Sequence, residues 1–580
     1  MAIIRVVRKF IDVLSKGQKN QIARLIILMA IGGMLETMSV GLIIPFMNAV
    51  VNIDTLMDRW YVKKICELLD IHHAYSFMFV GATCLGLLFI AKNIYLMIEY
   101  KFQYRFIYEN MFDMQNRSLR ALISNPYEFF LQAESGDTIR LINVDIPSTF
   151  SLLETVLSFF TESIVSFMLI STIFFIMPQI TLMIGFILLI LLLVINLVIK
   201  PKMRELGEET GESSAGMNKW LMQSVQGIKE IKITDTDDFF MFNFSRYGRT
   251  YINTQSTYLV VSVIPRFMIE AICMATMFFA IAILLFYGGR FDDLVPILTA
   301  VAMAAVRLLP SINRISIAMT RASYGEPILD RVMQNLNRMG KTSVDKDQIN
   351  DKDKTHIPRL KDSLTLEGIS YSYPGTDKVI LEGANIKIKR GESIGIIGES
   401  GAGKTTAVDI VMGLLKPQKG RILADGVDIY ENIGDWYRQI GYIPQMIFML
   451  DDTIRENVVF GRERQSDDSI WDALNEAALS DFVRSLPKGL DTKIGERGIR
   501  LSGGQRQRIG IARALYTDPD ILIMDEATSA LDNETEQSIM ESIDKLQGIK
   551  TMIIIAHRLT TIQRCDHIYS VKDRKITQER

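Results

Sequence analysis

Six long apolar runs constrain this chain more than anything else in it. Residues 24–51, 76–99, 148–177, 179–199, 257–287 and 294–325 are each mostly apolar. Each is long enough to cross a bilayer, which takes roughly 20 residues of helix. Inside lipid every backbone N–H and C=O must find its partner within the protein, so runs of this length are expected to be helices. The bulk numbers agree: 48% of the 580 residues are hydrophobic, and mean hydropathy is +0.18. Such a length also exceeds one hydrophobic core, so at least two domains are expected. The stretch 1–21 is basic and polar, without the apolar core of a cleavable signal peptide. Insertion is therefore assigned to the spans themselves.

Lys and Arg set the orientation. Arg5, Arg8, Lys9, Lys16, Lys19 and Arg24 precede the first span. Lys101, Arg105, Arg117 and Arg120 follow the second, and Lys200, Lys202 and Arg204 follow the fourth. These sides are read as cytoplasmic. The tight connection at Pro178 and the short loop 288–293 then lie outside. An even number of spans returns the second half of the chain to the cytoplasm. The second and fourth spans are expected to continue as helices through 101–124 and 200–220, with breaks at Asn125-Pro126 and Gly216. A short amphipathic piece follows each, near Tyr127–Phe130 and Ile228–Phe240. Two similar excursions after two similar hairpins are read as coupling helices rather than plain loops. Residues 54–70 place Leu56, Met57, Trp60, Tyr61, Ile65, Leu68 and Leu69 on one helical face. That is an external amphipathic helix lying in the interface. Residues 337–363 are charged and read as a linker.

From residue 364 the pattern changes to short β-runs and soluble helices. Gly398-Glu399-Ser400-Gly401-Ala402-Gly403-Lys404-Thr405 matches G-x-x-x-x-G-K-[ST]. The apolar run Ser393–Ile397 before it reads as a buried strand, and Thr406–Met412 after it as a helix. Strand, glycine loop and helix together make a phosphate-binding loop. Its backbone N–H groups would curl round phosphate oxygens, with the helix N-terminus adding its dipole. Lys404 would reach the β- and γ-phosphates and Thr405 would bind Mg²⁺. Tyr373 offers a ring to stack on adenine, and Thr406 extends the phosphate contacts. Leu501-Ser502-Gly503-Gly504-Gln505 opens a second helix near Gln505 and forms another anion-binding end. Ile521–Met524 is a strand run followed by Asp525 and Glu526. Asp525 would hold Mg²⁺, and Glu526 would polarise the attacking water. Gln445, at a strand end, would join the metal and the reacting water. His557 follows the strand Thr551–Ala556, where α/β ligand sites lie, and would touch the γ-phosphate.

With these motifs in this order, residues 364–580 resemble the nucleotide-binding domain of ABC transporters. The six spans plus one such domain resemble a type IV exporter half-transporter. The resemblance implies an α-helical transmembrane domain over 1–336, with cytoplasmic helix extensions, and an α/β P-loop nucleotide-binding domain over 364–580. It implies ATP and Mg²⁺ as cofactors, ATP hydrolysis coupled to translocation, and a multi-pass place in the cytoplasmic membrane. It also implies a dimer in which Ser502, Gly503, Gly504 and Gln505 complete the partner's ATP site. No motif is degenerate, so both sites of a homodimer could hydrolyse. Ile494-Gly495-Glu496-Arg497-Gly498 resembles the exporter loop that meets coupling helices, with Glu496 as the coupling residue.

Ionisable residues in spans default to functional candidates. Lys92, Arg266 and Arg307 are three cations that would suit an anionic lipid such as a lipid diphosphate. The plainer reading pairs Arg266 with Glu270 at i,i+4 and lets Lys92 snorkel. Glu36, Glu154 and Glu162 are further acids in or near spans, and Glu36 is a possible partner for one of the cations. Glu36-Thr37, Leu42–Phe46, Val263-Ile264-Pro265-Arg266 and Arg307–Arg314 resemble the bacterial lipid-linked oligosaccharide flippase of protein N-glycosylation. That resemblance implies basic cavity residues meeting a pyrophosphate, with Lys92 standing where the family has Arg. A lipid A-like lipid or multidrug exporter is the alternative, and a non-transporting ATPase fits the six spans poorly. The formal charge of −2 gives no pull toward nucleic acid.

Overall fold

The computed structural model describes residues 2–13, 16–42, 73–132, 135–176, 195–286, 291–347, 356–463, 466–525, 543–555 and 562–580, with 46, 62, 64, 193, 537, 540 and 541 besides. The external helix expected at 54–70 lies almost wholly outside the described residues, as do most of the fourth span and Glu526 and His557. The chain divides into two units. One holds Met1–Asn125 and Ala133–Val344, the other Pro126–Gln132 and Asp345–Arg580.

The first unit is helical. A short α1 (Ala2–Val13) precedes α2 (Lys16–Gly41) and the long α3 (Ala74–Ser124). After the break, α4 (Tyr127–Gln132) belongs to the second unit. Helix α5 (Ser135–Arg140) and a π-turn at Leu141–Asp145 lead into α6 (Ile146–Ile176). Then come α7 (Lys200–Gln226), α8 (Ile228–Thr234), α9 (Asp237–Phe286) and α10 (Phe291–Asp347). Among the described residues, three stretches are long and apolar enough to span a membrane: Lys16–Ser39, Tyr75–Ser124 and Asp137–Ser171. The fifth expected span falls within α9 up to Phe286, with residue 287 outside the described residues, and the sixth falls within α10.

Helix α3 ends at Ser124, where Pro126 withholds its N–H. Three expectations need correction. Helix α7 does not break at Gly216. It runs to Gln226, because the ring of Tyr247 on α9 packs where a β-carbon at Gly216 would stand, and tertiary packing overrides a weak local propensity. The second amphipathic piece stops at Thr234 rather than Phe240, since Asp235 is left-handed at φ 53° and caps it. The linker is shorter than 337–363. Helix α10 runs on to Asp347, as the polar stretch 337–347 contains no proline, and Ile357 and Leu360 are already buried in the core of the second unit.

The second unit is built on two sheets. A four-stranded antiparallel sheet has the order β2-β1-β4-β5, with β1 Ser363–Ser372, β2 Val379–Lys389, β4 Lys419–Ala424 and β5 Val427–Asp428. A six-stranded sheet has the order β10-β9-β3-β8-β7-β6, with β3 Ser393–Ile397, β6 Ile440–Ile443, β7 Ile521–Asp525, β8 Thr551–Ile555, β9 His567–Lys572 and β10 Lys575–Gln578. In it β9, β3, β8, β7 and β6 run parallel, and only the β9–β10 pair is antiparallel. The parallel strands are almost continuously apolar, as strands covered on both faces must be. Helix α11 (Lys404–Val411) buries Ala407, Val408, Ile410 and Val411 in one core, and α12 (Gly503–Leu515) buries Ile509, Ile511, Ala512 and Leu515 in another. This topology gathers the carboxyl ends of β3 and β7 at one edge, the place where α/β sheets bind ligands.

Candidate functional site

The loop 398–403 leaves the central strand β3 and enters α11 directly. Gly403 is the N-cap of α11 at φ 105°, and no side chain caps that end. The first N–H groups of a helix have no intrahelical acceptor, so those of Gly403 to Thr406 point outward as a set of donors. Within the loop Ala402 N–H donates to the Glu399 carbonyl at 3.1 Å. Two glycines of the loop are there for different reasons. At Gly398 a β-carbon would stand 2.6 Å from the carbonyl oxygen of Val571 on β9. At Gly401, with φ +79°, nothing lies within 4 Å of that point, so the space beside it is open. A cavity of about 550 Å³ opens there, walled by residues 378–380, 398–402 and 570–574. A row of free-facing N–H donors, a helix N-terminus and an open face fit the polyphosphate of a nucleotide.

Lys404 is buried, and its Nζ donates to the carbonyls of Gly398 and Glu399 at 2.9 and 3.1 Å. Its ammonium is thus held over the loop by neutral acceptors, ready to turn to an anion. Thr405 follows it in the first turn of α11. Thr406 Oγ1 shares a 2.9 Å hydrogen bond with the hydroxyl of Tyr373, which lies just past β1. That bond fixes the ring at the edge of the loop, where a base would stack.

Asp525 ends β7. Its neighbour across the site is Asp409 on α11, which the sequence reading missed. Burial, and then the Asp525 carboxylate, push Asp409 up to about 6. Two carboxylates acting on one another at the mouth of a phosphate loop would attract a divalent cation. With the Thr405 hydroxyl they supply the oxygen ligands that Mg²⁺ prefers. The i+4 spacing from Thr405 to Asp409 was the available signal. Glu526, the next residue after Asp525, and His557, two residues past β8, lie outside the described residues. Gln445 is exposed, two residues beyond β6, the strand next to β7.

The second anion-binding end starts two residues before its expected position. Helix α12 begins at Gly503 with Ser502 as N-cap. The Gln505 N–H donates to Ser502 Oγ at 3.2 Å, and the Ser502 N–H to Gln505 Oε1 at 2.9 Å, a complete capping box. Each side chain is engaged by the other residue's backbone N–H, and the N–H groups of Gly503 and Gly504 remain to face a ligand. Glu496 is exposed on a short turn, Glu496–Gly498, in which Arg497 is left-handed at φ 53°. In the same unit, Glu128 of α4 accepts the Lys416 N–H at 3.2 Å, and Tyr127 lies within electrostatic reach of Asp409 and Tyr373.

The membrane candidates are more scattered. Lys92 is buried on α3 with Nζ 5.2 Å above the Phe89 ring. Arg266 is exposed on α9, and no ion pair joins it to Glu270 among the described residues. The side chain of Arg307 lies outside the described residues. Glu162 accepts from Arg314 Nη1 at 2.5 Å, and Glu154 from the Tyr104 hydroxyl at 3.1 Å.

Comparison with known proteins agrees with this geometry. The family description "ABC transporter transmembrane region" matches residues 2–299, and "ABC transporter" matches 381–529. The heterocyst differentiation ATP-binding protein HepA of Nostoc sp. is 31% identical over 455 residues, 78% of this chain and 73% of that protein. An ATP-dependent lipid A-core flippase of Desulfotalea psychrophila is 34% identical over 382 residues, 65% of this chain and 64% of that protein. The lipid A-core flippase of Escherichia coli K12 is 40% identical over 239 residues, 41% of each. The aligned part thus spans less than two thirds of these flippases. A solved bacterial Atm1-family ABC exporter with ATP bound shares the fold, with a TM-score of 0.73 at 21% identity over 96% of this chain and 94% of that one. A membrane region of long helices, joined in one chain to a phosphate-loop domain with both anion-binding helix ends, makes this protein a multi-pass member of the ABC transporter family, of the type IV exporter kind, that uses ATP and Mg²⁺ and couples ATP hydrolysis to transport.

Proposed function

We propose that this chain works as a homodimer and moves a phosphate-bearing glycolipid from the cytoplasmic to the outer leaflet of the cytoplasmic membrane. The observation that carries the reading is the match to lipid A-core flippases. The 382 residues aligned with the Desulfotalea psychrophila protein exceed the whole stretch 364–580, so the likeness reaches well into the membrane region. A lipid A-type lipid is therefore favoured over the polyprenyl-diphosphate glycan suggested by the span motifs. Both ligands present phosphate to the protein, and the buried ammonium of Lys92, with Arg266 and Arg307, supports an anion-handling path. In the ATP site Lys404 and Gly398–Thr406 would hold the phosphates, and Tyr373 the base. Asp525, Thr405 and Gln445 would hold Mg²⁺, while Glu526 and His557 would act on the attacking water and the γ-phosphate. Ser502–Gln505 of the second copy would close the site, and Glu496 would pass its closure to the membrane helices.

The test is ATP-dependent flipping by the purified full chain in proteoliposomes. Three cargoes are compared: lipid A, a polyprenyl-diphosphate glycan and an uncharged drug. Flipping of lipid A, lost in Arg307→Ala with basal ATPase retained, is the expected result. Preference for the polyprenyl lipid would move the assignment to the flippase of lipid-linked oligosaccharides. Transport of the uncharged drug alone would overturn the anion-handling reading.

A further inference from the structure

Glu99 sits on α3, one of the membrane-spanning candidates, and is 4% exposed. Its Oε2 has no hydrogen-bond partner among the described residues. The facing residue on α2 is Gly32, where a β-carbon would stand 2.3 Å from that oxygen. The absence of a side chain there is what gives the carboxylate room. Electrostatic reach extends from Glu99 to a second carboxylate, Glu36, one turn further along α2. Glu162 of α6, paired with Arg314 of α10, belongs to the same electrostatic neighbourhood, with Tyr95 and Tyr100 of α3. Among the described residues, four helices thus bring these three carboxylates and the Arg314 guanidinium into one neighbourhood. Lys92 does not supply the missing charge: it lies about two turns, or roughly 10 Å, away along α3, over the Phe89 ring. Further buried oxygens without a hydrogen-bond partner are Ser166 Oγ, one turn beyond Glu162, and Asn313 Oδ1, beside Arg314.

A buried carboxylate without a partner is among the most unfavourable groups a membrane protein can hold. Charge neutralisation by a small cation would remove that penalty. Among the described residues no three acids, histidines or cysteines lie close enough to hold a metal ion as a set. We propose that Glu99, with Glu36 opposite, binds a monovalent cation, either a proton or an alkali-metal ion, within the membrane domain. The site is separate from the ATP site and from the cationic path argued above. The transporter would then carry a cation-dependent element beside its ATP-driven one.

Thermal unfolding of the full chain in nanodiscs tests this. One arm replaces choline chloride with NaCl or KCl at fixed pH and ionic strength; the other varies pH in choline chloride alone. A ligand that binds only the folded state raises its melting temperature, by about 5 °C or more well above the dissociation constant. An alkali-dependent rise that disappears in Glu99→Gln identifies an alkali ion. An excess pH-dependent rise that disappears in the same variant identifies the proton. Gly32→Ala, whose β-carbon would displace Oε2, should diminish the same response, and it serves if Glu99→Gln does not fold. Identical salt and pH responses in the wild type and in the variants that fold would overturn the proposal.

Discussion

The two glycines of the phosphate loop predict opposite consequences from the same substitution. Alanine at Gly401 meets no atom within 4 Å, so its penalty is that of a left-handed backbone at φ +79°. For a residue with a β-carbon this is roughly 1–2 kcal/mol. In a domain of this size that lowers the melting temperature by about 2–8 °C. Alanine at Gly398 adds a collision with the Val571 carbonyl 2.6 Å away, an atom of β9 held where Val571 pairs with Ile576 of β10. Backbone strain and overpacking together cost roughly 2–6 kcal/mol there. Nucleotide binding reverses the order. At a hundredfold excess over its dissociation constant, Mg-ATP should stabilise the wild type by about 2.7 kcal/mol. Gly401→Ala should lose that increment, since its methyl group points into the face where phosphate oxygens would lie. Scanning calorimetry of the full chain with and without Mg-ATP, beside phosphate-release ATPase, reads both effects. If Gly401→Ala keeps the ATP-induced shift within about 2 °C of wild type, the open face of the loop is not where the phosphates sit.

Three further outcomes are expected. Glu526→Gln should lower steady-state ATPase by about 10²–10⁴-fold, the range for losing a positioned base, while size-exclusion chromatography in ATP shows a persistent dimer. Asp409 binds its proton more tightly in the folded state, with a value of about 6. Stability from this group is therefore greatest at low pH and falls as pH rises from about 4, the unfolded value, through about 6. Denaturant titrations across that window should show a shallower slope for Asp409→Asn. Ser502→Ala removes the cap of α12 and should destabilise the chain by about 1 kcal/mol in urea unfolding.

The architecture was legible where one physical rule dominates. A bilayer-length apolar run admits only a helix, and a glycine loop between an apolar strand and a helix admits little but a phosphate cradle. Legibility failed where tertiary contacts decide. Gly216 carries the local signature of a break, yet the Tyr247 ring packs against it and α7 continues to Gln226. Polar residues 337–347 carry the composition of a linker, yet they continue α10 to Asp347. Asp409 was visible as a helical neighbour of Thr405, but its importance depends on β7 bringing Asp525 opposite. Glu99 is the extreme case. At the end of an apolar run a carboxylate reads as an ordinary boundary residue, and only the packing of α2 at Gly32 shows it to be buried.

The capping box at the head of α12 bears on how the ATP site is completed. In the spacing Ser502-Gly503-Gly504-Gln505 the serine and the glutamine satisfy one another, leaving the two glycines between them with their N–H groups outward. A phosphate arriving from a second copy would then be met first by backbone donors and the helix dipole, which no side-chain substitution removes directly. Replacing Ser502 or Gln505 acts on this end by releasing its cap and loosening the first turn that aims those donors. The loss of ATPase in Ser502→Ala should accordingly track the loss of helix order. A variant that restores the cap with a different side chain, Ser502→Thr, should recover most of both. Recovery of stability without recovery of ATPase would mean instead that the serine hydroxyl itself touches the nucleotide.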